Sequence, residues 1–410
     1  MKCLWFSIVP VAEGDAREGC WINAQMEAVS RHCPDVELAI AYTSSCTRQK
    51  RVGQVICYEM RPQAEGLWQR LATAMHHPGV EWTSIRQQAL DVVRDFAPDV
   101  ICCFGSEWPF GLIKAETKVP VVVHMQGFKT IYDRMWREVE TDAMRFRLYH
   151  YHPVKVLRTW IRHAMEDLSH RRERRIMSLN THYLGRTRWD RMLVSQYATQ
   201  AHYHHCWEAL REGIVTAQPW RMKPAGTKLQ LVSISSAGEL KGNGFILRTA
   251  RQLKARGIDF EWKVAGRRQI FEKFEFYTGI RHEDVNVSPI GLIGADEIAR
   301  LLAESHIYVH AACIDNSPNS LCEAQCIGCP VISTRVGGIP DLVEDGVTGL
   351  LVDYDDDAGL TDAIMRLAHD EALQQQLSLQ ERSIAQRRHD SQAIASTLYN
   401  IYNDIIHATE

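Results

Sequence analysis

The 410-residue chain lacks any apolar run approaching the ~20 residues that a membrane-spanning helix requires. It also lacks an excess of charge of one sign, because 47 Lys and Arg stand against 50 Asp and Glu. A polycation built for nucleic acid is therefore excluded, and we expect no nucleic-acid partner. Internal repeats of fixed period and low-complexity tracts are absent as well, and the composition is that of an ordinary globular protein.

Cysteine is plentiful, with 12 residues, but a chain of this length does not need disulfides in place of a core. Cysteines here are expected to be small buried hydrophobes, as Cys102 and Cys103 are in an apolar run. We therefore predict a reducing, cytoplasmic location. The first apolar run, residues 3–12, faintly resembles a signal peptide, yet a single Lys precedes it. A first buried strand over residues 3–9 is the favoured interpretation.

Short apolar runs alternate with amphipathic stretches along the chain, a pattern typical of βαβ units and a parallel sheet. The predicted strands cover residues 3–9, 36–42, 100–105, 119–125, 182–185, 229–235, 261–266, 285–291, 307–311, 330–334 and 349–354. Length predicts two domains. We place an N-terminal domain at 1–211, a linker rich in Pro and Gly at 212–227, a C-terminal domain at 228–390, and a last helix at 391–410 that could cross back to the first domain.

Residues 129–175 interrupt this rhythm with many basic and aromatic side chains. Apolar residues recur there at helical spacing: Leu157, Trp160, Ile161, Ala164, Met165 and Leu168. Basic residues occupy other faces: Lys155, Arg158, Arg162 and His163, followed by a basic run at 171–175. Two interpretations stay open for 145–175, a domain helix with a solvated face and a contact with an anionic membrane surface.

The chemistry is concentrated between residues 309 and 352. A strand ends in a loop over 313–317, after which Ser317 is a suitable N-cap and Pro318 a suitable first helical residue. The N–H groups of the first helical turn would then face a phosphate. Asp315 lies in the loop and Glu323 in the second turn, where its apolar neighbours predict a buried acid that needs a partner.

This stretch resembles retaining glycosyltransferase family 4, whose members carry two acids eight residues apart, then Gly-x-Pro-Val, Gly-Gly-x-Pro-Glu and Gly-x-x-Gly-x-Leu-Val. The matching residues here are Asp315 with Glu323-Ala324, Gly328-Cys329-Pro330-Val331, Gly337-Gly338-Ile339-Pro340-Asp341 and Gly346-Val347-Thr348-Gly349-Leu350-Leu351-Val352. Three N-terminal segments look like a bacterial subgroup that works on surface polysaccharides: residues 105–109, 121–127 and 185–190.

The resemblance implies an α/β fold of two Rossmann-like domains facing across a cleft (GT-B type). Asp315, Glu323 and Lys241 would be the catalytic residues, with Lys241 on the donor diphosphate, Glu323 on the ribose and Asp315 on the sugar. Further donor-binding residues would be Gly19, Ser236, Gly266, Gly291, Leu292, Asn316, Ser317, Asn319, Ser320 and Leu321. The acceptor side would carry His124, Gln126 and Arg186. No metal and no cofactor are expected.

The chain departs from the family pattern at three positions. The first acid is the shorter Asp315, the usual Arg five residues before Lys241 is Ser236, and a common His is Gln126. The predicted function is a retaining hexosyltransferase that moves a sugar from a nucleoside diphosphate sugar to a glycan or lipid-linked acceptor in bacterial cell-surface polysaccharide synthesis. The predicted location is cytoplasmic, with peripheral attachment to the inner face of the membrane as an option. A non-catalytic nucleotide-sugar-binding protein and a nucleotide-sugar epimerase stay open as alternatives.

Three other patterns are interpreted as structural. Cys322, Cys326 and Cys329 have the spacing of a radical S-adenosylmethionine cluster motif, but they fall on a helix and the turn after it, where cluster ligands are unusual. The acidic run 353–357 is interpreted as a helix cap rather than a metal-binding Asp-x-Asp. His202, His204 and His205 are interpreted as a strand end rather than a metal site.

Overall fold

A computed structural model describes residues 1–11, 20–63, 81–149, 152–224, 226–235 and 238–408. Two of the predicted donor-binding residues, Gly19 and Ser236, lie outside the described residues. The same holds for a group of side chains on the basic helix: Arg158, Trp160, Arg162, His163, Ala164 and Met165. Within the described ranges the chain forms two sheets, one of eight strands and one of six.

The first sheet has the order β3-β4-β2-β1-β5-β6-β7-β8. Its strands are β1 Lys2–Ser7, β2 Glu37–Thr43, β3 Arg48–Val52, β4 Val55–Met60, β5 Val100–Phe104, β6 Val121–His124, β7 His182–Gly185 and β8 His202–His205. All neighbours are parallel except the β3–β4 hairpin. The sequence analysis missed this hairpin because its edge strand is polar (Arg-Gln-Lys-Arg-Val), as exposed edges often are, and shows no apolar alternation.

The second sheet is parallel throughout, with the order β11-β10-β9-β12-β13-β14. Its strands are β9 Leu229–Ser235, β10 Phe260–Gly266, β11 Val287–Gly291, β12 Ile307–His310, β13 Val331–Thr334 and β14 Leu350–Val352. The order reverses direction at β9, between β10 and β12. Ligands of open parallel sheets bind beyond the carboxyl ends of the strands at such a point.

Helices flank both sheets, as the alternation predicts. They are α1 Cys20–His32, α2 Trp82–Phe96, α3 Lys129–Val139, α4 Asp142–Tyr149, α5 Pro153–Leu179, α6 Arg188–Tyr197, α7 Glu212–Val215, α8 Asn243–Ala255, α9 Arg268–Thr278, α10 Ala295–Glu304, α11 Asn319–Ile327, α12 Asp357–His369, α13 Glu371–Arg388 and α14 Ser391–His407. Short 3-10 segments cover Pro109–Ala115, Glu239–Lys241, His282–Val285 and Ile339–Asp341. In the part of the chain described, no helix is both long and apolar enough to cross a bilayer.

The last helix packs against the first sheet although it follows the second in sequence. Leu398 and Tyr402 of α14 belong to the same buried cluster as Trp5 of β1 and Phe104 of β5. The helix lies along α1, and His32 of α1 contacts Ser391 at its start (3.1 Å). Burial of this apolar face ties the C-terminus to the N-terminal sheet.

The structural interpretations of the cysteines and acids are consistent with the coordinates. Apart from Cys46, every cysteine whose burial is described is buried, and those described carry no disulfide. Burial raises the pKa of Cys322 to about 11, so its thiol stays protonated. Asp356 caps α12 by accepting a hydrogen bond from the Gly359 amide (2.9 Å), as the cap interpretation of the acidic run requires.

Buried histidines make the fold sensitive to acid. Burial lowers the pKa of His124 and of His389 to about 4, and burial together with its histidine neighbours does the same for His182. In the unfolded chain these imidazoles take up protons near pH 6.5. The contribution of these three histidines to stability is therefore full well above pH 6.5 and falls as the pH drops toward 4, because their imidazoles bind protons in the unfolded chain before they do so in the folded one.

We expect the free energy of unfolding, measured with urea at pH 8, 6.5 and 5, to fall at each step. His389→Gln should weaken this pH dependence, because it removes one group that gains a proton on unfolding. A wild-type curve that stays flat between pH 6.5 and 5 would contradict this account.

Candidate functional site

The amino end of α11 lies beyond β12, where the sequence places the phosphate site. The helix begins at Asn319, and Pro318 is its N-cap with φ −68° and ψ 121° and no side-chain cap. The prediction of Ser317 as N-cap and Pro318 as first helical residue was therefore wrong by one position. The extended ψ of Pro318 keeps this residue outside the helix, while its ring fixes φ at a value that the residue before a helix can adopt.

Two of the first-turn amides are open. The Leu321 amide donates to the Pro318 carbonyl at 3.1 Å, and the Cys322 amide does so at 3.2 Å. The amides of Asn319 and Ser320 have no protein acceptor among the described residues. Leu321, predicted to offer its amide, is thus already bonded. An anion at this end would meet the amides of Asn319 and Ser320.

A chain of polar side chains runs beneath this helix end. Lys241 Nζ lies 2.5 Å from Asp315 Oδ2, which lies 3.2 Å from His310 Nε2. The other ring nitrogen of His310 is 3.2 Å from the Tyr308 hydroxyl, and that hydroxyl donates to Ser320 Oγ at 2.9 Å. His310 and Tyr308 were not predicted. Their signal was the two-residue spacing on β12, which points both side chains to one face at the strand end.

Electrostatics keep Asp315 ionised. Its burial alone would raise its pKa, but the Lys241 ammonium and the His310 hydrogen bond together hold it well below the ordinary value. Burial lowers the pKa of His310, against the opposing effect of Asp315. The Asp315 carboxylate is therefore buried between one cation, Lys241, and one neutral imidazole, His310.

A close backbone approach fixes the loop that carries Asp315. Gly337 has φ +53°, and a Cβ there would lie 2.0 Å from the Asp315 carbonyl oxygen. The next amide, that of Gly338, donates to the same oxygen at 3.0 Å. The predicted Gly-Gly turn is thus the clamp on the loop, and only glycine fits its first position.

Glu323 has the partner that its burial demands. Its side chain is 5% exposed, and Arg211 places Nε at 2.8 Å and a terminal guanidinium nitrogen at 2.7 Å from Oε1. Burial raises the pKa of Glu323, and the charge of Arg211 opposes that shift. The prediction of a buried acid with a partner is confirmed. Arg211 itself was missed, because nothing in the sequence links it to a residue 112 positions away.

The three residues predicted for the acceptor side are brought together by Glu208, a residue that the sequence analysis missed. Glu208 pairs with Arg186, accepts from Gln126 Nε2 at 2.5 Å, and lies 3.4 Å from His124 Nε2. His124 and Arg186 are buried, and burial lowers the pKa of His124 to about 4. These residues form a polar network at the carboxyl ends of β6 and β7, in which His124 is neutral.

The two sheets meet directly at Asn316. Its side chain accepts from Thr187 Oγ1 at 2.6 Å and donates to Asp190 Oδ2 at 3.2 Å. Asp190 also caps α6 with Thr187. Next to this contact, Arg188 pairs with Asp341 of the Gly-Gly segment. Asn316 of the predicted donor loop and residues of the motif at 185–190 are therefore in direct contact.

The remaining predicted donor residues lie around the same end of the second sheet. Gly266 ends β10 and Gly291 ends β11, followed by the half-buried Leu292. Ser317 is buried in the loop before α11. Among the described residues, no three His, Cys, Asp or Glu side chains are arranged to hold a metal ion.

Comparison with known proteins identifies the second half of the chain. Residues 228–370 match the family described as Glycosyl transferases group 1. The chain carries a glycosyl transferases group 1 domain. The putative colanic acid biosynthesis glycosyltransferase WcaL of Salmonella typhimurium is 29% identical over 165 residues, which cover 36% of this chain and 39% of that protein. The amylovoran biosynthesis glycosyltransferase AmsK of Erwinia amylovora is 30% identical over 152 residues, covering 35% and 37%.

Matches to these relatives therefore span only about two fifths of their length. Solved structures match over nearly the whole chain. Sucrose-phosphate synthase from Thermosynechococcus elongatus has a TM-score of 0.76 at 14% identity, covering 99% of both chains. HepE of Anabaena, solved with UDP and glucose, has a TM-score of 0.66 at 12% identity, covering 98% of this chain and 100% of that one. The fold is of the GT-B type.

The Arg211–Glu323 pair yields a stability prediction. Arg211→Met leaves the buried Glu323 carboxylate without its partner and should lower the free energy of unfolding by about 3 kcal/mol at pH 8. Glu323→Gln in the same protein removes the unpaired charge and should restore most of that loss. Urea unfolding of the two single variants and the double variant measures the coupling. Additive effects of the two substitutions would show that the pair is not coupled.

Proposed function

We propose that the protein is a retaining glycosyltransferase that moves a hexose from a nucleoside diphosphate sugar to a glycan or lipid-linked acceptor in cell-surface polysaccharide synthesis. The observation that carries this proposal is the pair of open amides at Asn319 and Ser320, together with the polar chain that links Ser320 to Lys241. The names of the relatives, which concern colanic acid and amylovoran, support the polysaccharide assignment.

The donor diphosphate would lie at the amino end of α11. Its oxygens would accept from the Asn319 and Ser320 amides and from Lys241, which is a compact charge suited to phosphate. Lys241 is paired with Asp315, so the diphosphate would compete with a carboxylate for the same ammonium. As the bond from the sugar to phosphate breaks, negative charge grows on the leaving group, and these preorganised donors stabilise it.

The two acids of the motif have separate proposed roles. Glu323, paired with Arg211, would accept hydrogen bonds from the ribose hydroxyls. Asp315, released from Lys241, would accept them from the sugar, with the backbone of the Gly337-Gly338 turn beside it. No protein base is assigned to the acceptor proton. In family 4 the leaving phosphate oxygen is thought to take it.

The donor site is tested by a thermal-shift panel of UDP-glucose, UDP-galactose, UDP-N-acetylglucosamine and GDP-mannose. We expect at least one to raise the melting temperature, because it binds only the folded state. Lys241→Met and Glu323→Gln should each weaken its binding about tenfold or more, the value of one charge-assisted hydrogen bond. Lys118→Met and Glu138→Gln change exposed residues that have no assigned role in the site and should leave binding unchanged.

Turnover separates the candidate functions. A transferase releases nucleoside diphosphate from the bound donor, whereas a binding protein shifts the melting temperature without release. An epimerase converts the donor sugar with no acceptor and no release. If both site variants keep the full thermal shift and full turnover, the assigned donor site is wrong.

A membrane contact through residues 145–175 is part of the proposal. Four large apolar side chains on α4 and α5 are strongly exposed: Phe146 at 59%, Val154 at 61%, Leu157 at 56% and Leu168 at 56%. Exposed basic residues accompany them: Arg147, Lys155, Arg171, Arg174 and Arg175. Exposed apolar groups beside cations favour contact with an anionic bilayer over the alternative of a fully solvated helix face. The bilayer surface would be the inner face of the cytoplasmic membrane.

Vesicle sedimentation tests this surface. The wild-type protein should bind vesicles containing phosphatidylglycerol and not those of phosphatidylcholine alone, and salt should weaken binding. Leu157→Ser with Phe146→Ser should reduce binding about tenfold or more, through lost apolar burial. Met192→Ser is the matched control, since Met192 is 52% exposed on α6, outside this surface. Equal binding of both vesicle types, or none, would contradict the proposal.

A further inference from the structure

The turn after β5 folds a carboxylate back over the end of the strand. Gly105, the first residue of the turn, has φ +87°, and a Cβ there would lie 2.8 Å from Glu107 Cδ and 2.9 Å from Trp108 Cδ1. Glycine is therefore required at this position, because it tolerates the positive φ and leaves room for the Glu107 and Trp108 side chains. It lets Glu107 lie across the carboxyl end of the first sheet, on the side where ligands of parallel sheets bind.

The Glu107 carboxylate is buried and incompletely bonded. Its Oε2 is buried and has no hydrogen-bond partner in the described part of the chain. Buried polar atoms in folded proteins nearly always have partners, so one without any indicates a ligand or ordered water. Burial, with a smaller contribution from Glu173, raises the pKa of Glu107 to about 7.

The other charged groups near Glu107 are already engaged. Glu173 accepts from the amides of Lys129 (2.7 Å) and Thr130 (2.9 Å) at the start of α3. Arg186 pairs with Glu208, and Arg172 donates to the backbone carbonyl of Glu107 at 3.0 Å. None of these cations supplies a hydrogen bond to the Glu107 carboxylate in the described residues.

Tyr132 connects Glu107 to the donor loop. In that loop the Asn316 amide donates to Asp315 Oδ1 at 3.1 Å. Burial first, then the charges of Asp315 and Glu107, raise the pKa of Tyr132 well above its ordinary value. The phenol therefore lies near both carboxylates, one on each side of the cleft. The turn that carries Glu107 also reaches this loop through neighbouring backbone groups. Ser106 Oγ donates to the Gly127 carbonyl at 3.4 Å, and the adjacent Gln126 carbonyl accepts from Asn316 Nδ2 at 3.4 Å.

We propose that Glu107 binds the acceptor, its open carboxylate oxygen receiving a hydrogen bond from a hydroxyl of the acceptor sugar. This role rests on the proposed transferase function and deepens it. A buried carboxylate selects for a ligand that brings a hydroxyl, because an analogue without one leaves the charge unpaired. The acceptor end is accordingly a polyhydroxylated sugar, and Glu107 is a specificity-determining residue on the first sheet's side of the cleft.

The test compares Glu107→Gln with wild type and with the exposed control Glu138→Gln. The donor is whichever nucleotide sugar of the thermal-shift panel binds. Release of nucleoside diphosphate is followed with water alone and with methyl α-D-mannopyranoside or methyl β-D-galactopyranoside as acceptor. We expect Glu107→Gln to keep the donor-induced thermal shift and to lower the release rate about 10- to 100-fold.

A pH profile separates acceptor binding from a structural role. Wild-type release should rise between pH 6 and 8 as the carboxylate ionises, and Glu107→Gln should lack this rise, while Glu107→Asp should regain part of it. Glu107→Gln should also melt no lower than wild type, because it removes an unpaired buried charge. Unchanged release, or a lost donor shift in Glu107→Gln, would overturn the role of Glu107. A wild type that binds no donor would instead overturn the proposed function and, with it, this role.

Discussion

The ion pair between Lys241 and Asp315 is the contact on which the candidate site depends. Asp315 is buried in a loop that Gly337 holds from behind, so its charge needs Lys241 and His310 to remain in place. The same ammonium is the one that a diphosphate at the amino end of α11 would use. In the proposed function, donor binding would therefore be an exchange of anions on this one cation.

The cleft is organised around Asn316, the residue next to this pair. Through Thr187 and Asp190 it joins the loop of the second sheet to the cap of a helix on the first, and its backbone amide donates to Asp315 Oδ1. A ligand that moves Asp315 would therefore also act on the contact between the sheets. The last helix, packed on the first sheet through Tyr402, holds the two halves together at another point.

Much of the fold and part of the candidate site could be predicted from the sequence. Strand positions followed from apolar runs, and the paired acids, the Gly-Gly turn and Lys241 followed from the family pattern. Partners across long sequence separations could not be predicted: Arg211 for Glu323, and Glu208 for His124, Gln126 and Arg186. The β3–β4 hairpin was not predicted because its exposed edge strand, β3, is polar and has no periodic apolar signal. Pro318 was misplaced by one residue, since its fixed φ suits both the cap and the first turn.

The most direct test of the account is a crystal structure of the protein with the nucleoside diphosphate that it binds best. We predict phosphate oxygens within hydrogen-bond distance of the Asn319 and Ser320 amides and of Lys241 Nζ. Asp315 should then no longer share its oxygen with Lys241. A diphosphate bound elsewhere, or bound here with the Lys241–Asp315 contact intact, would contradict the exchange of anions on which the proposed function rests.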